Sequence, residues 1–197
     1  TPYAVEDLFS MTYDSYEKAY ERLAGLSWQI LKTPHLTLRE STVSDVEDFY
    51  RIYQDPSITK YMERLFPDRD EERSYMKDYI QKIYGFYGFG LWSVIHTVTG
   101  TVIGRAGLSV REGYEIPELG FVTEVAFQHQ GYTYEICEAI LRYARDELEF
   151  PQVQAFCHPE NTASLHLLQK LGFTYAGEDL LQGIPHARYI VSLPKSC

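Results

Sequence analysis

The chain has 197 residues, 45% of them hydrophobic and 15% aromatic, enough for one full core with a short appendage. A formal net charge of −10 argues against nucleic-acid binding through a basic surface and suits a cationic substrate. No run reaches membrane-spanning length and the opening residues carry no signal-peptide pattern. Cys137, Cys157 and Cys197 form no C-x-x-C pair, so free thiols in a cytoplasmic setting are expected, with no membrane partner.

Residues 1–34 read as a helical appendage and 35–197 as the main domain. Tyr13, Tyr16, Tyr20 and Leu23 recur at helical spacing opposite Asp14, Glu17, Lys18, Glu21 and Arg22, and Gly25 ends the run. Such a helix can cover a cleft, make a homodimer contact, join an upstream segment or simply pack on the back of the domain. Thr1 is no initiator and leaves room for a longer parent chain. A first strand is expected over 35–39, with alternating apolar positions. Ser44 and Glu47 form a capping box for a helix with the stripe Val46, Phe49, Tyr50 and Tyr53, ended at Asp55-Pro56. Phe66-Pro67-Asp68 introduces a second helix that buries Met76, Tyr79, Ile80 and Ile83 and closes at Gly85. Glycines and aromatics over 86–92 precede a strand to Ile95. Thr99-Gly100 turns into a strand over 101–110, and residues 111–114 turn into another beginning at Glu118.

Gln128-His129-Gln130-Gly131-Tyr132-Thr133 comes just before a helix over 132–149, whose apolar face is Ile136, Ile140, Tyr143, Ala144 and Leu148. A glycine turn at a helix start presents unpaired amides and the positive end of the helix dipole, which attract a phosphate or pyrophosphate. An ordinary strand-to-helix connection is the alternative. After Pro151, an apolar strand over 153–157 leads through His158-Pro159-Glu160 to Asn161, a candidate N-cap for a helix over 162–171 that ends at Gly172. Strands over 174–176 and, past a loop at Gly183-Ile184-Pro185, over 188–193 close the chain. The element order predicts an α/β (α+β) fold. Its central sheet is mixed and mostly antiparallel, with about six or seven strands flanked by helices.

Gln128-x-x-Gly131 with Glu135 after it, Glu118-Leu119-Gly120-Phe121 ten residues before Gln128, and Asn161-Thr162-Ala163-Ser164 followed by Lys170-Leu171-Gly172-Phe173 together resemble the GNAT superfamily of acetyltransferases. Within it the chain resembles the RimJ/RimL type, which acetylates protein N-terminal amines and related small amines. The likeness spans about 36–193. It implies the GNAT fold, splayed between its fourth and fifth strands, with acetyl-coenzyme A as cosubstrate and no metal. Backbone amides of Phe121, Val122 and Thr123 would hold the pantetheine arm, and Gln128, His129, Gln130, Gly131, Tyr132, Thr133 and Tyr134 the pyrophosphate. Asn161 would bond the pantetheine amide, or serve as a plain N-cap. Residues 57–62 would form the acceptor side of the cleft. His129 stands where the family often has glycine and Thr133 where it has a small residue, and both narrow the room for pyrophosphate.

An amine must reach the thioester neutral, since its lone pair is the nucleophile, so a base or a water held by one must take a proton. Glu118 lies where several GNAT members carry such a glutamate; a charged strand end is its other reading. Leu168 occupies the position of the family's frequent tyrosine; the RimJ/RimL resemblance implies instead a serine three residues after the asparagine as donor to the departing thiolate, and Ser164 matches it, with a helix-start cap as its other reading. Cys157 reads as a buried small residue or as a thiol near the cofactor. Three functions follow in order: acetyl transfer to a small-molecule or peptide amine in a ternary complex, a noncatalytic acyl-coenzyme A binder, and a structural or interaction domain.

Overall fold

The computed structural model describes residues 12–13, 16–17, 20–21, 24–62 and 64–194. Of the predicted N-terminal helix, Tyr13, Tyr16 and Tyr20 are described and exposed, while Leu23, Asp14, Lys18 and Arg22 lie outside the described residues. The strands are β1 (Gln29–Lys32), β2 (Leu36–Arg39), β3 (Leu91–His96), β4 (Val102–Ser109), β5 (Glu118–Thr123), β6 (Gln152–Cys157), β7 (Thr174–Leu181) and β8 (Ile184–Ser192). They form one eight-stranded sheet in the order β1-β2-β3-β4-β5-β6-β8-β7, and only β5 and β6 run parallel. The count exceeds six or seven because Gln29–Lys32 adds an edge strand, with Lys32 opposite Thr37. Four residues whose two central positions are both half-buried carry no period-two signal.

Helices α1 (Val46–Tyr53) and α2 (Arg69–Tyr79) cover one face of the sheet; α3 (Tyr132–Asp146) and α4 (Thr162–Lys170) cover the other. The larger core lies under α3 and α4, where Leu36, Leu38, Trp92, Ile103 and Leu108 meet Ile136, Ile140 and Leu168. Each such side chain stabilises the fold by about 1.5–3 kcal/mol, far more than local propensity supplies, so packing on the sheet is what holds α3 in place. On the opposite face Val46, Phe49 and Ile52 of α1 and Met76 of α2 pack on Val102 and Val122.

Three local expectations shift. The capping box sits two residues earlier: Thr42 N–H donates to Asp45 Oδ2 at 2.9 Å, opening a short 3-10 turn over Val43–Asp45. Asp45 prevails because Arg39, at 2.6 and 2.7 Å, and the Ser93 hydroxyl, at 2.8 Å, already orient its carboxylate. Glu47 turns outward instead, pairing with Arg69 and, at 2.6 Å, with Arg73 of α2. The second helix does not close at Gly85. It continues through a π turn over Ile80–Tyr84 and a last turn over Gly85–Tyr87 to Gly88 at φ 73°. Finally, the two short C-terminal strands form one long hairpin, Leu181 pairing with Ile184 across Gln182 (φ 51°) and Gly183 (φ 80°). Two consecutive left-handed residues make the tight turn that matches strand twist.

Because β5 and β6 are parallel, the chain leaves both at the same edge of the sheet. The starts of α3, after β5, and α4, after β6, therefore flank one opening.

Candidate functional site

The opening begins where the parallel strands part. β5 and β6 share a single register pair, Glu118 with Gln154, so the edge of β5 that runs on to Thr123 has no strand beside it. Fully buried Gln154 fixes the closed end: its amide N–H donates to Ile116 O at 2.6 Å and its carbonyl accepts from Arg188 Nε at 2.8 Å. Glu118 stands at this vertex. Its carboxylate accepts from Arg111 Nε at 2.5 Å and Nη2 at 3.1 Å, and the Arg111 guanidinium lies 5.4 Å from the Phe156 ring centre. Glu118 does not line the cavity described below.

Beyond the vertex the gap widens into a groove of about 570 Å³. One wall is Phe121, Val122 and Thr123 with Gln128, His129, Gly131, Thr133 and Tyr134. Gln128 Nε2 donates to Thr123 O at 2.9 Å, which ties the turn back to the strand. Gly131, at φ 86°, is the residue before α3, and a Cβ added there would meet nothing within 4 Å. Helical bonding begins when Glu135 N–H donates to Gly131 O at 3.0 Å, so the amides of Tyr132, Thr133 and Tyr134 precede the first intrahelical bond. Open space in front of unsatisfied helix-start amides fits a phosphate group. His129 is exposed with φ 59°, and the Thr133 hydroxyl is hydrogen-bonded to that of Thr123. Gln130 and Tyr132 do not line the groove: Gln130 Nε2 donates to Ala126 O at 2.9 Å, and the Tyr132 ring packs beside His96 at 5.5 Å.

The other wall comes from α4 and the loop before it. Asn161 caps α4, its side-chain oxygen accepting from Ser164 N–H at 3.2 Å. Both residues line the groove. Cys157 is buried at the end of β6 beneath this turn, its Sγ 3.7 Å from Asn161 O. Burial pushes the thiol up to about 11, and a hydrogen bond from the Ser164 hydroxyl pulls the other way. The segment 57–62 closes the third side with Ser57, Ile58, Tyr61 and Met62, and the Tyr61 ring stacks on His158 at 5.0 Å. Ala163, His166, Leu167 and Lys170, to which the sequence assigned no site role, also line the groove. Their spacing of three, four and seven residues, on the side of α4 away from buried Leu168, was the available signal. Among the described residues no group of three or more His, Cys, Asp or Glu side chains is placed to hold a metal ion.

Comparison with known proteins converges on one family. The acetyltransferase (GNAT) domain family matches residues 35–174. An uncharacterised N-acetyltransferase, p20, of Bacillus licheniformis is 29% identical over 153 residues, covering 76% of this chain and 84% of that protein. Among solved structures, a GNAT-family acetyltransferase of Bacillus anthracis superposes with a TM-score of 0.69 at 22% identity, covering 82% of this chain and 97% of the other. RimL, the ribosomal L7/L12 alpha-N-protein acetyltransferase solved in complex with coenzyme A, also gives 0.69, at 16% identity over 84% of this chain and 98% of its own. The chain belongs to the GNAT acetyltransferase family and is an acyltransferase.

Proposed function

We propose that the groove between β5 and β6 holds acetyl-coenzyme A and that the acetyl group passes to a primary amine by direct attack in a ternary complex, as in the RimJ/RimL type. The observation that carries this reading is the single register pair between β5 and β6, which leaves one strand edge free beside the unpaired amides at the start of α3. Acetyl-coenzyme A, when bound, supplies the thioester carbonyl that the amine attacks. Main-chain amides on the free edge of β5, at Phe121 and Thr123, hydrogen-bond the pantetheine arm, and those at the start of α3, at Tyr132, Thr133 and Tyr134, receive the pyrophosphate.

In this proposal the amine enters past Ile58, Tyr61 and Met62, a largely apolar side that favours the neutral form the attack requires. Glu118 takes its proton through water from the vertex. The Ser164 hydroxyl donates to the departing thiolate, a role supported by its place on the groove wall and beside Cys157. The acceptor class is a peptide N-terminus or a small amine, which the net charge of −10 favours.

The test is thermal-shift titration with acetyl-coenzyme A, then a thiol-release assay across peptide N-terminal and small amines, with products read by mass spectrometry. A rise in Tm with turnover on one amine class is expected. A rise without turnover on any amine would remove the transfer step, and no rise at millimolar cofactor would remove the cofactor.

A further inference from the structure

We propose that Lys170 binds a phosphate of the cofactor's nucleotide half, an inference that rests on the groove being the acetyl-coenzyme A site. Its Nζ lies 4.3 Å from the centre of the Tyr134 ring, and both residues line the groove. Lys170 is the last residue of α4 and Tyr134 the third of α3. The ammonium therefore stands beside the helix turn whose leading amides precede the first intrahelical bond.

Charge makes this position consequential. Among the described residues that line the groove, Lys170 is the one Lys or Arg. The chain as a whole carries −10, so its long-range field repels a polyanionic ligand and affinity depends on local donors. Lys170 rests on a ring face rather than on a carboxylate, a contact weaker than a charge-assisted bond to phosphate oxygen. A lysine stem is flexible and ends in three donors, so rotation about its own bonds carries Nζ from the ring to a phosphate with no backbone movement. The plainer role for a lysine here is to complement the negative end of the α4 dipole. That role affects stability alone and leaves phosphate recognition untouched.

The experiment is isothermal titration of the wild-type chain, Lys170→Gln and Lys170→Arg with coenzyme A and with dephospho-coenzyme A at two salt concentrations, circular dichroism confirming the fold of each variant. Lys170→Gln is expected to weaken coenzyme A binding about tenfold, with Lys170→Arg retaining most of the affinity and the gap narrowing at high salt. If the contact is to the 3′-phosphate, the gap between wild type and Lys170→Gln disappears with dephospho-coenzyme A; if it is to the pyrophosphate, the gap persists. Both patterns support the proposal. Equal affinity of wild type and Lys170→Gln for coenzyme A overturns it, whereas a wild-type chain that fails to bind coenzyme A overturns the reading of the groove on which it rests.

Discussion

The hydroxyls of Thr123 and Thr133 are hydrogen-bonded at 2.9 Å, joining the last residue of β5 to the first turn of α3. Gln128 Nε2 meets the carbonyl of the same Thr123 at 2.9 Å, so one strand residue anchors the turn at both ends. The shape of the turn is thus fixed before any ligand arrives, which reduces the ordering that binding must bring about. It also turns the Thr133 hydroxyl toward the strand.

Gly131 is the residue on which that turn depends for its backbone. At φ 86° a non-glycine residue costs roughly 1 kcal/mol, yet the space around it is open. Gly131→Ala should therefore lower stability by about 1 kcal/mol and retain coenzyme A binding. Gly131→Glu carries the same strain and also places a carboxylate against phosphate. It should abolish binding in a calorimetric titration while the chain stays folded. Unchanged affinity in Gly131→Glu would move the phosphate site elsewhere.

Glu118 gives a sharper test of the chemistry because Arg111 already holds its carboxylate. If Glu118 is the proton acceptor, Glu118→Gln should lower kcat about a hundredfold with little change in acetyl-coenzyme A affinity. Arg111→Lys, which keeps charge but loses the two-pronged geometry, should lower kcat less. A parallel loss of kcat and of cofactor affinity in Glu118→Gln would mean that the pair only braces the vertex between β5 and β6.

The parts of this site that the sequence revealed are those with a local cause. Gly131 at the start of α3, Asn161 capping α4 and Gly172 after it are set by backbone geometry within a few residues. The parts that stayed hidden depend on contacts between distant segments. Arg111 reaches Glu118 across the β4–β5 connection, and Tyr61 meets His158 from the far side of the cleft. His166 and Lys170 sit on the polar side of α4, which by composition looks like a solvated face until β5 and α3 are placed opposite. The Gln182–Gly183 turn was missed for a different reason. Glutamine at the first left-handed position is an uncommon choice where asparagine, aspartate or glycine gives the usual signal.

Ser164 and Cys157 can be separated from each other. Ser164→Ala should slow acetyl transfer about a hundredfold while circular dichroism stays unchanged, since the cap uses the Ser164 N–H rather than its hydroxyl. Cys157 supplies an internal reporter. With the thiol pushed up to about 11, its alkylation should still accelerate roughly tenfold per pH unit between pH 8 and 10. Ser164→Ala removes a neighbouring hydroxyl that acts to lower the thiol pKa, so alkylation of Cys157 should slow further at any fixed pH. A wild-type rate of acetyl transfer in Ser164→Ala would take the hydroxyl out of the mechanism even if the alkylation rate changed.

The buried network at Asp45 makes stability depend on pH in acid. Burial acts to raise its pKa, but Arg39, the Thr42 N–H and the Ser93 hydroxyl outweigh it and hold the carboxyl below its ordinary 3.8. A group depressed in this way stabilises the fold fully above its unfolded pKa and loses that contribution as pH falls through the folded value. Asp45→Asn removes the charge and leaves Arg39 facing an amide, which should cost roughly 3 kcal/mol at pH 7 in urea unfolding. The stability gap between wild type and Asp45→Asn should hold steady from pH 7 down to about 5 and shrink once pH drops below about 4. A gap that stays constant down to pH 2 would show that Asp45 acts through packing and neutral hydrogen bonds, and that its charge contributes nothing to holding β2 and β3 against α1.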